Sequence, residues 1–355
     1  MKEVQSERPF ADRTYSMVKS FVIRGNLLTS QALEELAESK RLADMVVKLK
    51  GTVYAEAISK LQPPYTARKM ETVFRGRLAD IHQALLKFTP KTSLLASYYL
   101  KFIAGNLKIL LKGRAQRKSD EEIVSHLDMH AEELVGRRDM VVRALSAENL
   151  DQTVDLLEGS EFAAEAESAL ATFKDTGKFQ VFDIYIDKAF YNRVVSSFTS
   201  EHKGDTRVRD IVAVDVDSYN TLAVLRGRLW DLEPSEIRGL LIKPFFDVTE
   251  TDLKNMIDGE SLAEAVKILS RTVYRRIIPQ VEPSEAALAS LEDAFRVLGY
   301  RRALNPFLRD IHRISVVLGA VKLSELEARN LAAIAFGVEQ HLNVKDIMAR
   351  LVFLK

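Results

Sequence analysis

The sequence predicts an all-α protein built from three pseudo-symmetric helical repeats, on the strength of two recurring spacings and a composition poor in helix breakers. The spacing Asn-x6-Gly-x9-Ile-x3-Leu occurs at Asn106/Gly113/Ile123/Leu127, Asn220/Gly227/Ile237/Leu241 and Asn330/Gly337/Ile347/Leu351. A second block recurs in the same phase, as Leu33/Leu42/Val46/Leu49/Tyr54, Val141/Leu150/Val154/Leu157/Phe162 and Leu253/Leu262/Val266/Leu269/Tyr274. Glycine and proline supply only 15 and 9 of 355 residues, and long stretches carry apolar side chains at helical period. Successive copies begin roughly 110 residues apart, too far for a two-helix solenoid unit and enough for a small helical module each. The expected repeats span 1–127, with an added N-terminal helix, 128–241 and 242–355.

The elements follow in order. In LTSQALEELAESKRLADMVVKLKGTVY, Leu33, Leu36, Ala37, Leu42, Val46 and Leu49 mark the apolar stripes of two short helices parted near Ser39. A longer helix then places Asn106, Leu110 and Gly113 at i, i+4 and i+7, as it does Asn220, Val224, Gly227 and Asn330, Ile334, Gly337. This stripe is expected to be buried within each module. The Gly would admit a close neighbour or end the helix, and the Asn amide would satisfy backbone groups in an adjoining turn. The alternative is that the Asn faces a partner in all three modules. The last helix of each repeat starts 13 residues after the Asn, signalled by Ser119 with Glu122, by Pro234 at the first-turn position, and by Asn343 with Asp346.

Composition narrows the classes of function. Cys is absent, which excludes disulfides and thiolate metal sites. The first residues, MKEVQSERPFAD, put charges where a signal peptide needs an apolar run, so a cytoplasmic chain is expected. The most apolar stretch, SLLASYYLKFIAGNLKILL, carries Lys101 and Lys108 and is read as part of a soluble protein. Net charge is +1 overall, giving no global attraction to nucleic acid. Locally it is uneven: residues 1–127 hold 22 Lys/Arg against 13 Asp/Glu, 128–241 hold 13 against 22, and 242–355 hold 16 against 15. Modules of one fold with opposite charge suit different surroundings, although drift on solvated surfaces gives the same pattern.

Searches for chemistry return little. His126 and His130 stand at i, i+4, a spacing able to hold a metal, but no thiolate, HExxH or third ligand accompanies them, and they are read as two partly exposed histidines of one helix. Asp215 and Asp217 in VAVDVDSYN are read as N-terminal capping and dipole pairing ahead of a helix rather than as a Mg²⁺ site. Walker A, GxGxxG and GxSxG sequences do not occur. The basic run Lys108, Lys112, Arg114, Arg117, Lys118 lacks interleaved aromatics for base stacking, so a helix C-terminal charge preference, or an acidic protein or anionic headgroup, accounts for it better than nucleic acid. Trp230 is expected in the core. No catalytic residue, cofactor or metal is expected.

Three segments carry a family resemblance: LSELEARNLAAIAFGVEQHLNVKDIMARLV, DSYNTLAVLRGRLWDLEPSEIRGLL, and the pattern LxxLAESKRLADMVVKLKGTVY. With them, the chain resembles the C-type subunit of archaeal-type (A-type/V-type) rotary ATPases, equivalent to the d-type subunit of vacuolar enzymes, over nearly its whole length. The resemblance implies a funnel of three modules around a central cavity, without catalytic residues of its own. It further implies that the wide mouth holds the foot of a central stalk of D- and F-type subunits while the base sits on a membrane rotor ring of c/K-type subunits. The protein would thus be peripheral, at the cytoplasmic face of the cell membrane, serving proton or sodium transport. Arg226, Arg228, Arg329, Lys112 and Arg114 are the candidate partner-binding residues. The turns VEQHLN and RAQRKS depart from a tighter Gly-Leu turn expected of the family. A free-standing helical adaptor and an enzyme using the helical cavity are the competing functions.

Overall fold

The computed structural model describes residues 4–89, 92–278, 285–309 and 313–353, and every regular element among them is helical. Backbone contacts gather the chain into two compact units, residues 93–295 and, from the two ends of the chain together, residues 1–92 with 296–355.

The unit made from the chain ends is organised on the 26-residue helix Ile314–Glu339, buried along most of its circumference. Such a helix is stable only inside a core. Helices Val4–Gly25 and Ala67–Phe88 pack along it, and the short helices Ser30–Ala37, Leu42–Leu49 and Val344–Ala349 close its sides. Ala67–Phe88 is amphipathic, turning Met70, Phe74, Leu78 and Leu85 inward. Thr29 and Thr66 start their helices by accepting from the amides of Ala32 and Lys69. A Cβ on Gly319 would stand 2.5 Å from the carbonyl oxygen of Ala303, so this glycine allows two backbones to approach.

In the 93–295 unit, Ser93–Ala115 packs against Gln180–Glu201, which is flanked by Ala163–Thr176. Ser93–Ala115 is long and apolar enough in composition to cross a membrane, yet 72% of its most apolar window is buried inside the protein. Thr206–Leu229 is capped by Asp205, which accepts from the amides of Arg207 and Val208, and packs against Pro234–Leu240, Glu250–Asp258 and Leu262–Leu269.

The three Asn–Gly helices run on past their glycines, to Ala115, Leu229 and Glu339, and end alike. Arg117, Asp231 and His341 adopt left-handed backbone, with φ of 57°, 55° and 53°. The amides of Lys118, Leu232 and Leu342 return to the carbonyls of Gly113, Gly227 and Gly337 at 3.0, 2.9 and 2.9 Å. Those of Arg117, Asp231 and His341 return to Arg114, Arg228 and Val338. This is the Schellman ending, here with a non-glycine residue at its left-handed position in all three copies.

Several local expectations are corrected. Asp215 and Asp217 lie in the interior of Thr206–Leu229, not ahead of a helix, because the helix already starts at Asp205. His126 and His130 do not share a helix: His126 follows Asp120–Val124, and His130 opens the separate His130–Leu134. Of the three helix starts, Ser119 caps through its side chain and Glu233 forms a capping box with Glu236 ahead of Pro234. Asn343 makes no side-chain cap, and its amide points to the Asp346 carboxylate at 3.3 Å instead. Trp230 is half-buried at the helix end rather than in the core.

Candidate functional site

One joint, built three times, organises the polar chemistry of the fold. Asn220 donates from Nδ2 to the Ile242 carbonyl at 3.0 Å and accepts the Ile242 amide at 2.8 Å. Asn330 does the same with Val352, at 2.8 and 2.9 Å. Asn106 does it with Asp128, at 2.7 and 3.1 Å, and adds a bond to the buried Glu132 carboxylate at 3.0 Å. In each copy the side-chain amide substitutes for a backbone partner and clamps the chain as it leaves the last short helix.

Two turns further along the same helix face, the glycine seats an isoleucine from that short helix. A Cβ added at Gly113, Gly227 or Gly337 would meet Cγ1 of Ile123, Ile237 or Ile347 at 2.6, 2.8 and 2.5 Å. The two contacts join helix, turn and short helix into one piece, with the Asn amide setting position and the glycine setting distance.

A second joint connects each Asn–Gly helix to the block of the next repeat. Three residues before the Asn, Asp217 accepts the Tyr274 hydroxyl at 2.7 Å and the amides of Asp247 and Val248 at 2.9 and 3.3 Å. At the corresponding place Glu327 accepts the Tyr54 hydroxyl at 2.8 Å and the Leu28 amide at 2.5 Å. The third pair of corresponding positions is Ile103 and Phe162, both fully buried. Carboxylate and phenol are thus present together or replaced together by apolar groups, as the cost of leaving either one buried and unpaired requires. Burial pushes the Glu327 carboxyl above the usual range, against the Leu28 amide and the Tyr54 hydroxyl. Burial and the adjacent Glu327 together hold the Tyr54 phenol well above its ordinary value.

The candidate cations are placed as follows. Arg228 donates to the carbonyls of Met256 and Gly259 at 2.7 and 2.6 Å, ending the helix Glu250–Asp258. Arg114, its counterpart, donates to the Leu145 carbonyl at 2.7 Å and pairs with Asp120, its side chain 8% exposed. Arg226 pairs with Glu292 at 2.7 Å and Lys112 with Asp183 at 2.8 Å, all four half-buried. Lys108 is bonded to Asp187 at 2.7 Å, and burial raises that carboxyl while the lysine opposes the rise. Arg329 is exposed. The basic run is therefore largely internal wiring between helices. Sequence reasoning missed both carboxylate–tyrosine pairs, although Tyr54 and Tyr274 were visible as a recurring aromatic.

The joints bring polar groups to one another and to backbone, and one member, Glu327, also borders a surface cleft with Arg77, Asp80 and Ser324. Among the described residues no cluster of three or more His, Asp or Glu side chains is placed to hold a metal ion.

Comparison with known proteins places this architecture. The family described as ATP synthase (C/AC39) subunit matches residues 18–350. The C subunit of the A-type ATP synthase of Pyrococcus abyssi is 25% identical over 345 residues, covering 94% of this chain and 88% of that protein. The protein of the same name from Methanocaldococcus jannaschii is 21% identical over 347 residues, covering 92% and 83%. That from Haloferax volcanii is 26% identical over 277 residues, covering 74% of each. With the match extending across the three Asn–Gly helices and all three blocks, the chain belongs to the ATP synthase (C/AC39) subunit family.

Proposed function

We propose that the chain is the non-catalytic C-type subunit of an archaeal-type rotary ATP synthase or ATPase, joining a central stalk of D- and F-type subunits to a membrane ring of c/K-type subunits. The observation that carries this reading is the family match over residues 18–350, shared with relatives that bear the C-subunit name and match along most of their own length. In this role the protein is peripheral, at the cytoplasmic face of the membrane, and serves proton or sodium transport without binding or hydrolysing ATP.

The physical support is mechanical. A torque-bearing element needs its modules stiff and its joints specific. Three copies of one double-bonded Asn clamp and one Gly–Ile seat meet that need without reactive groups. Three such modules around a central opening would receive the stalk foot; of the candidate cations Arg329 is exposed, while Lys112 and Arg226 are half-buried and paired with Asp183 and Glu292, so that an acidic partner would have to compete for them. Arg114 and Arg228 are engaged in supporting helix ends. The charge contrast between residues 1–127 and 128–241, 22 Lys/Arg against 13 Asp/Glu and 13 against 22, would orient an asymmetric stalk in a salt-sensitive way.

The test is reconstitution with the stalk proteins and the membrane ring, separately and together. The coupling reading expects stoichiometric binding to each and loss of ATP-driven ion pumping when the chain is omitted. Binding to only one of them, or pumping at full coupling without the chain, overturns it. A free-standing adaptor would instead stay apart from the ATPase when detergent-solubilised membranes are separated by native electrophoresis.

A further inference from the structure

We propose that Asp217 is a proton-operated latch: neutral, it holds the segment 243–249 and the 3₁₀ turn Val273–Arg276 against the helix Thr206–Leu229, and ionised, it loosens them. Asp217 has no solvent exposure. Its Oδ2 collects all three of its hydrogen bonds, from the Tyr274 hydroxyl and the amides of Asp247 and Val248, and so ties two separate stretches of chain to one atom of the helix. Its Oδ1 is buried with no hydrogen-bond partner. An ionised carboxylate puts half its charge on each oxygen, and here one half would sit bare in the core. A proton on Oδ1 removes that charge and leaves the three bonds to Oδ2 in place.

The surroundings do not neutralise the ionised form. Arg209, the cation coupled to this site, is bonded to Asp247 at 2.8 Å. Asp247 itself faces Asp217 with a like charge, and Tyr274 presents only a neutral phenol from the 3₁₀ turn. On the same helix stand Asp210 and Asp215, the latter accepting the Tyr98 hydroxyl at 2.7 Å. At the start of the next helix Glu250 is paired with Lys243 at 3.6 Å. Burial raises the Asp217 carboxyl to about 7, against the pull of the Tyr274 hydroxyl and the two amides, with the Asp247 charge adding to the rise. The group therefore changes charge at neutral pH.

The device belongs to one module of three. Glu327 has a donor on each oxygen, and the remaining module replaces the pair with Ile103 and Phe162. The latch needs no partner and would operate whether or not the chain couples a stalk to a ring.

The sign is set by linkage. A carboxyl whose folded value lies above its ordinary 3.8 favours the closed form fully below 3.8 and loses that contribution as pH rises to about 7. The ratio of open to closed should rise about tenfold per pH unit between 5 and 7 and level off above. Hydrogen exchange of residues 243–249 and 273–276, corrected for intrinsic rates, should show that loss of protection in the natural protein and none in Asp217→Asn, which keeps an acceptor oxygen and carries no charge. The side-chain carboxyl carbon of Asp217, followed by NMR in the unsubstituted protein, should titrate near 7 whatever the variant does. A midpoint below 5, or the same pH-dependent loosening in Asp217→Asn, overturns the proposal.

Discussion

The hydroxyl of Tyr54 lies 2.8 Å from the carboxylate of Glu327, tying an aromatic near the start of the chain to a helix near its end. The equivalent bond, Tyr274 to Asp217, links residues only 57 apart. The second and third blocks thus dock on the Asn–Gly helix of the preceding copy, and the block at residues 33–54 docks on the helix Ile314–Glu339. The Asn106–Asp128 and Asn220–Ile242 clamps accordingly reach across the repeat boundaries expected at 127/128 and 241/242.

Converting this joint to its apolar version should reveal the pairing energetically. Glu327→Ile alone leaves the Tyr54 hydroxyl and the Leu28 amide without an acceptor, at a cost of about 2–4 kcal/mol. Tyr54→Phe alone should cost about 1 kcal/mol. The double variant, which reproduces the Ile103 and Phe162 pair, should be more stable than the sum predicts by about 1 kcal/mol in denaturant unfolding. Strict additivity would show that the two groups act independently.

The glycine seat makes a sharper prediction, because the sign of an effect should reverse. Alanine is a better helix former than glycine by about 1 kcal/mol, yet the Cβ in Gly227→Ala would stand 2.8 Å from Cγ1 of the buried Ile237. Overpacking of that kind costs about 1–3 kcal/mol, so Gly227→Ala should destabilise the natural protein. Introduced on top of Ile237→Ala, the same substitution should stabilise it. Destabilisation in both backgrounds would place the strain elsewhere than at Ile237.

How much of this was legible follows from what spacing encodes. Asn220, Gly227 and Ile237 interact within one short stretch, so their contacts repeat whenever their separations repeat, and three equal separations expose them. The docking of Tyr54 on Glu327 spans 273 residues, and no separation in sequence tells which copy of a helix a block will meet. Asp217 was misplaced for a different reason: in VAVDVDSYN alternating Val and Asp resembles a helix start more than a helix interior. Only the cap at Asp205, twelve residues earlier, reveals that the helix is already under way.

The shared helix ending offers a stabilising change. His341 holds a φ of 53° at the left-handed position of a Schellman ending, where a Cβ is disfavoured. It is exposed, and its backbone amide bond to Val338 survives a change to glycine. His341→Gly should therefore raise stability by about 0.5–1 kcal/mol. A lower denaturation midpoint in this variant would mean that the imidazole makes a contact outweighing the backbone strain.

Removing residues 314–355 should unfold the beginning of the chain rather than its new end. Helix Ala67–Phe88 turns Met70, Phe74, Leu78 and Leu85 inward, none more than 6% exposed, and its principal neighbour is Ile314–Glu339. Each of those side chains loses roughly 1.5–3 kcal/mol when its burial is lost, which together rivals the roughly 5–15 kcal/mol that holds a whole domain folded. A helix in a protein draws most of its stability from packing its amphipathic face, and this 22-residue helix would lose that support. The carboxylate acceptor of the Tyr54 hydroxyl and the Leu28 amide would disappear with Glu327 as well. Hydrogen exchange on the truncated chain should show residues 30–88 unprotected while the helices of residues 93–276 keep their protection. Persistent protection of Ala67–Phe88 would show that the N-terminal block is held by something other than the helix from the far end of the chain.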